Sequence, residues 1–187
     1  MKKILLFLFA MSTLSFAHAQ TVNLESSTVD WVGKKITGTH SGNITLQSAD
    51  FTVENGMIKG GTFVMDMTSI ECTDLSGKGA AKLEGHLNSD DFFGVETFPT
   101  ATLVITDVTK AGLHNEMTVT GDLTLKGQTQ SISFPASVSD NKAEATIYID
   151  RTKYGIKYGS GSFFDDLGDK AIDNMFELRV TLDLTSA

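Results

Sequence analysis

Phe176-Glu177-Leu178-Arg179-Val180-Thr181-Leu182-Asp183-Leu184 sets an apolar residue at every second position and a polar one between. Successive side chains of an extended chain point to opposite faces, so this stretch reads as a β-strand with one dry and one wet face. Seven more runs of the same period lie upstream. Val29 and Trp31 share one face of the first, opposite Thr28 and Asp30, and Ile44 and Leu46 share one face of the second. The third sets Phe63, Met65 and Met67 against Thr62, Val64, Asp66 and Thr68. Runs four to seven are 100–108, 116–125, 131–138 and 144–158, the last with an expected bend at Gly155.

The punctuation between runs is that of hairpins. Thr37-Gly38, Glu54-Asn55-Gly56, Ala111-Gly112 and Lys126-Gly127 supply residues that tolerate the positive φ of tight turns. Eight strands in hairpin order predict an all-β, up-and-down antiparallel barrel with one or two short helices, because a parallel sheet would need crossover helices. Closure also removes exposed sheet edges. Residues 80–87 carry Leu83 and Leu87 at helical spacing, and Ser89 before Asp90 and Asp91 has the form of a helix N-cap. The segment 165–174 reads as a helical turn or acidic loop.

Residues 1–19 have the form of a secretory leader: Lys2-Lys3, the apolar stretch Ile4 to Met11, then Ala17-His18-Ala19. Cleavage is expected near Ala19-Gln20, giving a periplasmic or secreted protein made of one domain, 20–187. The residue directly after that point is Gln20 and not Cys, so no lipoprotein anchor is indicated, and no later apolar run is long enough to cross a membrane. The leader removes two Lys and no acid, leaving the chain more acidic than its formal charge of −8. Such a surface argues against nucleic acid or anionic headgroups as partners. Cys72 is the single cysteine, so no internal disulfide forms, and its bland reading is a small buried apolar residue.

The ordered motifs resemble the YceI-like family. They are Trp31-Val32-Gly33 with Gly38-Thr39-His40-Ser41-Gly42; the stretch from Gly60 to Ile70; Leu83-Glu84-Gly85-His86-Leu87-Asn88-Ser89-Asp90-Asp91-Phe92-Phe93; Phe98-Pro99-Thr100-Ala101; Thr120 to Gly127; and Asp150-Arg151-Thr152-Lys153-Tyr154-Gly155-Ile156-Lys157-Tyr158-Gly159. The resemblance spans about 28–184. It implies a lipocalin-like eight-stranded barrel, often periplasmic, that holds a polyisoprenoid or another long-chain lipid in its lumen. It also implies a binding or carrier protein rather than an enzyme, with no cofactor and no metal, and in some members a homodimer. Gly94 and Thr97 depart from the family pattern after the paired Phe.

Residue choice agrees with a lumen for an apolar ligand. Phe63, Met65 and Met67 of the third run form an adaptable inward stripe, since unbranched, polarizable Met shapes itself around a flexible chain, and Trp31 of the first run is assigned to the lumen with them. Phe92, Phe93, Phe98 and Phe134 are expected to add apolar walls. In the seventh run Tyr154, Ile156 and Tyr158 are assigned to the lumen with Thr152, and Arg151, Lys153 and Lys157 to a solvated outer face. The same side chains would also fill a closed core of an interaction or stress-response module, because an eight-stranded barrel is just wide enough for either outcome. Cavity volume separates the two. A lipid-modifying enzyme using His86 as base, with Asp90 or Asp91 orienting it, is the third reading, since one helical turn separates His86 from Asp90. No further His or Cys supplies the three protein ligands that zinc needs, and the acids near Asp165 lack the spacing of a calcium loop.

Overall fold

In a computed structural model, residues 20–186 are described except 55, 113, 114 and 140; the expected leader lies outside them. Eight strands close in sequence order: β1 Gln20–Lys35, β2 Gly38–Glu54, β3 Met57–Cys72, β4 Thr100–Lys110, β5 Glu116–Leu125, β6 Gln128–Ser139, β7 Lys142–Asp150 and β8 Ile172–Ser186. Every neighbouring pair is antiparallel, and β1 pairs with β8 from Gln20↔Ser186 to Lys35↔Ile172. β5 displays the cause plainly. Met117, Val119, Leu123 and Leu125 are buried, whereas Thr118, Thr120 and Thr124 face outward, where Thr120 and Thr124 meet Ser133 and Thr129 of β6.

The barrel has two unlike ends. The β2–β3, β4–β5 and β6–β7 turns and both strand termini lie at one. The other, the capped end, receives helix α1, Lys78–Asn88, inserted between β3 and β4, and the irregular chain between β7 and β8. Leu87 of α1 is buried and Leu83 half-buried, as the helical spacing predicts. Ser89 does not start a second helix. It ends α1, its hydroxyl donating to His86 O at 2.7 Å, and Asp90 and Asp91 lie on an exposed turn. Lys126, in the β5–β6 turn, donates to Asp90 O and Phe92 O at 2.6 and 2.7 Å and ties this turn to the barrel rim.

The seventh run departs most from the sequence reading. The strand stops at Asp150, whose carboxylate accepts from Thr152 N at 3.0 Å and Thr152 Oγ1 at 2.6 Å. This local turn competes with the strand ladder, and the chain enters a 3₁₀ turn, Arg151–Tyr154, ended by Gly155 at φ 75°. The strand expected over 151–158 is therefore absent, although Tyr154 and Ile156 are buried and Lys153 and Lys157 exposed as the alternation predicts. Arg151 is not on a solvated face but 1% exposed. A second 3₁₀ turn, Gly168–Lys170, occupies the acidic segment.

Asp74 ties the chain after β3 to the start of β2, accepting from Ser41 N at 2.9 Å, His40 Nδ1 at 2.9 Å and Cys72 Sγ at 3.3 Å. The Ser41 amide, ahead of the His40 and Cys72 contacts, holds its pKa down from 3.8 to about 2. A carboxyl more acidic in the folded state stabilises the fold above its unfolded pKa and loses that contribution as pH falls through the folded one. Asp74→Ala is therefore expected to lower the urea midpoint at pH 6, with the difference from wild type shrinking from pH 4 downward and gone below pH 2. A difference that persists undiminished at pH 2 would show that the anion is not the cause.

Candidate functional site

The inward faces do not meet at the barrel axis. They surround two adjoining cavities, with empty volumes of about 830 and 810 Å³ that include space open to solvent. The first lies at the capped end, the second toward the hairpin end, and both are bordered by Met65, Ala101, Leu123, Ile149 and Leu178. These five residues, from five strands, form a shared waist. Met65 and Ala101 are direct cross-strand partners, so the small side chain of one leaves room beside the flexible one of the other.

Trp31, Met65, Met67, Phe92 and Phe93 border the capped-end cavity, and Phe63, Met65 and Phe134 the other. Four assignments made from sequence land elsewhere. Phe98 is half-buried against the β5–β6 turn, filling the space where a Cβ on Gly127 would sit. Tyr154 and Ile156 are buried in the core but border neither cavity, because the 3₁₀ turn carries them off the strand face. Tyr158 is 47% exposed and stacks edge-on against His86, ring centres 4.5 Å apart. Sequence reading missed the contribution of β8, where Phe176, Leu178, Val180 and Leu182 line the lumen, although its alternation was the plainest signal in the chain.

Aromatic rings close the capped end in a chain of edge contacts: Tyr158 on His86, His86 on Phe92 at 5.5 Å, Phe92 on Phe93 at 5.0 Å and Phe93 on Phe176 at 6.2 Å. His86 is enclosed in this row and borders neither cavity, and its Nε2 is buried without a hydrogen-bond partner among the described residues. The one-turn relation expected between His86 and Asp90 is not formed, since α1 ends at Asn88. Among the described residues no group of three or more His, Cys, Asp or Glu is placed to hold a metal.

Arg151 is the residue that sequence reasoning put on the wrong side. It borders the capped-end cavity and lies over the Phe92 ring, Cζ 5.5 Å from its centre. What buries it is a defect in the barrel seam. Gly33 of β1 stands opposite Phe176 of β8, but Lys35 stands opposite Ile172, so β8 carries surplus residues there. A bulge leaves carbonyls outside the ladder, and Arg151 satisfies them: Nε donates to Asp173 O at 2.9 Å and Nη2 to Ile172 O at 3.1 Å, while Nη1 donates to Ile156 O at 2.9 Å. Desolvation lowers its pKa, opposed by Asp150 and Asp173. Burial likewise pushes the Tyr154 phenol up to about 12, and its hydroxyl has no partner among the described residues. Lys34, Asp173 and Met175, all exposed, border the same cavity at the bulge and mark where it meets solvent.

A closed antiparallel barrel with apolar cavities inside, capped at one end, defines a lipocalin-like barrel. Its motifs are those of one family: the YceI-like domain model matches residues 20–184, and the chain belongs to that family. No curated protein matches the chain. Among solved structures, BcnA of Burkholderia cenocepacia is similar at 22% identity, with a TM-score of 0.71 over 88% of this chain and 99% of that one. A polyisoprenoid-binding domain from Saccharophagus degradans follows at 14% identity and 0.59, covering 91% and 99%. The YceI protein of Campylobacter jejuni follows at 14% and 0.56, covering 100% and 99%. At these identities the likeness establishes the shared fold. Among the described residues no helix is long and apolar enough to cross a membrane.

Proposed function

We propose that the protein is an exported binding or carrier protein that holds one long-chain amphiphile, a polyisoprenoid or related lipid, in its lumen and carries out no covalent chemistry. The pair of adjoining apolar cavities carries this reading. Five residues border both cavities, so the two lie side by side inside the barrel, an arrangement that suits a chain rather than a compact metabolite. Burying hydrocarbon is worth about 0.8 kcal/mol per CH₂, so affinity should grow with chain length. The polyisoprenoid-binding domain of Saccharophagus degradans, which shares the fold, supports the ligand class, and the leader-like composition of residues 1–19 supports export to a periplasm or the exterior.

The cavities count against a filled core, which requires side chains meeting at the axis. The lipid-modifying reading loses its geometry, with His86 shut among rings and Asp90 and Asp91 on an outer turn. Native mass spectrometry of freshly purified protein, followed by solvent extraction, is expected to reveal a single lipid-sized adduct per chain. A barrel that is consistently empty and takes up no added isoprenoid or fatty amphiphile would end the carrier reading.

A further inference from the structure

We propose that the exposed apolar face around the mouth of the capped-end cavity, with Ile36, Phe163 and Phe164 at its front, docks the barrel on a lipid surface of zwitterionic head groups. There the ligand would pass between bilayer and lumen without crossing water. The docking stands on surface chemistry alone; only the passage rests on the carrier reading given above.

Among the described residues eight large apolar side chains are exposed, and five of them, Ile36, Tyr158, Phe163, Phe164 and Met175, belong to the β1–β2 turn, the chain between β7 and β8, and the start of β8. Hydrogen bonds make these segments one unit with the mouth. Ile36 N donates to Ala171 O at 3.2 Å and Ile172 N to Gly159 O at 2.8 Å. The buried Ser160 donates through Oγ to Asn174 Oδ1 at 2.6 Å, and Asn174 Nδ2 donates to Ser162 Oγ at 2.8 Å. The amides of Phe163 and Phe164 both donate to Ser160 O. The backbone that carries the two rings is thus fixed to the bulge, where Lys34, Asp173 and Met175 border the cavity. The rings are nonetheless 48% and 50% exposed, and Ile36 is 69% exposed. Adjacent wet aromatics beside an apolar opening mark an interaction surface.

The chemistry of the partner follows from what surrounds the rings. Over 34–36 and 157–175 four Lys stand against four Asp, with no Arg or Glu, in a chain whose formal charge is −8. A protein partner fits poorly, because the cores of protein interfaces are depleted in Lys and Asp. A head-group layer accepts them: rings and alkyl stems sink to the acyl boundary while the charged tips stay in the polar zone. Lys157 already has this posture, its Nζ 4.7 Å from the centre of the Phe163 ring. Balanced charge on the face gives no attraction to an anionic surface, and the acidic remainder of the molecule is repelled by one, which leaves head groups that carry phosphate and ammonium together.

The test is co-sedimentation of the delipidated full chain with phosphatidylcholine vesicles, without added ligand. The double variant Phe163→Ser/Phe164→Ser, which alters neither cavity lining, is expected to weaken vesicle binding about 30-fold, the worth of taking two half-exposed rings out of water. Leu24→Ser, at an exposed apolar residue of the hairpin end, should leave it unchanged. Phosphatidylglycerol mixed into the vesicles is expected to weaken wild-type binding. Uptake of a fluorescent C20 isoprenoid then reads the passage: the double variant should load as fast as wild type from cyclodextrin and about 30-fold more slowly from vesicles. Wild type that does not sediment with vesicles, or equal sedimentation of wild type and double variant, overturns the docking. So does a wild-type dimer that dissociates when the two rings are replaced, because a second copy then covers the face. Tighter binding to phosphatidylglycerol overturns the zwitterionic class, and loading of the double variant from vesicles at the wild-type rate overturns the passage. Absence of uptake from both sources removes the carrier reading and leaves the docking to the sedimentation result.

Discussion

Ala101→Trp is expected to cut the affinity for a C20 chain by about three orders of magnitude while leaving the barrel folded. Ala101 is 6% exposed and borders both cavities, so its replacement projects into empty space at the waist rather than into packed neighbours. Overpacking costs apply where no void exists; here the new ring stacks into a gap between Met65, Leu123, Ile149 and Leu178. A tail stopped at the waist forfeits about six methylenes of burial, roughly 5 kcal/mol. The measurement is a titration across chain lengths from C8 to C20. Wild-type affinity should climb through the whole series, whereas the variant climbs and then levels off. If the two curves run parallel to C20, the cavities do not serve one extended ligand.

Gly42→Ala has the largest expected effect on stability. A Cβ at this position would overlap Glu71 O and come within 2.7 Å of Trp31 Cζ2. Gly42 lies on β2 opposite Trp31 of β1 and Cys72 of β3, so the notch it leaves is where the indole crosses to reach Glu71 O. Neither a strand backbone nor a cross-strand ring anchored by its own hydrogen bond gives way cheaply. The cost is expected at about 3 kcal/mol or more, which for a domain of this size lowers Tm by roughly 10 °C. Chemical denaturation followed by the fluorescence of the lone tryptophan reads both consequences, a lower midpoint and a red-shifted native emission. A midpoint unchanged from wild type would mean that β2 and β3 are not in this register.

The strands were legible because a barrel's two faces meet opposite solvents, and alternation records that directly, as in β5 and β8. α1 was legible through Leu83 and Leu87. The entry of β1 was not, since its pairing with β8 breaks step between Asn23 and Thr28 and the period is lost. The site was half legible. Side chains on regular strands, Phe63, Met65, Met67 and Phe134, fell where period 2 puts them. Arg151, Tyr154, Ile156 and Tyr158 did not, because one carboxylate, that of Asp150, diverts the chain into a 3₁₀ turn, which buries Arg151, exposes Tyr158 and carries the buried Tyr154 and Ile156 away from the cavities. Phe98 belongs to an irregular segment, where composition signals burial but no period says against what. Arg151 owes its burial to a bulge 21 to 22 residues downstream, which only the assembled seam reveals.

That seam has a temporal consequence. Thr21 and Thr185 touch through their hydroxyls at 2.8 Å across 164 residues of chain, and β8 supplies a wall to both cavities. Until the final strand is made and delivered, a nascent chain has no container to fill, and two open sheet edges. On the proposed carrier reading, a ligand can therefore be enclosed only after β8 has been delivered and the wall is complete.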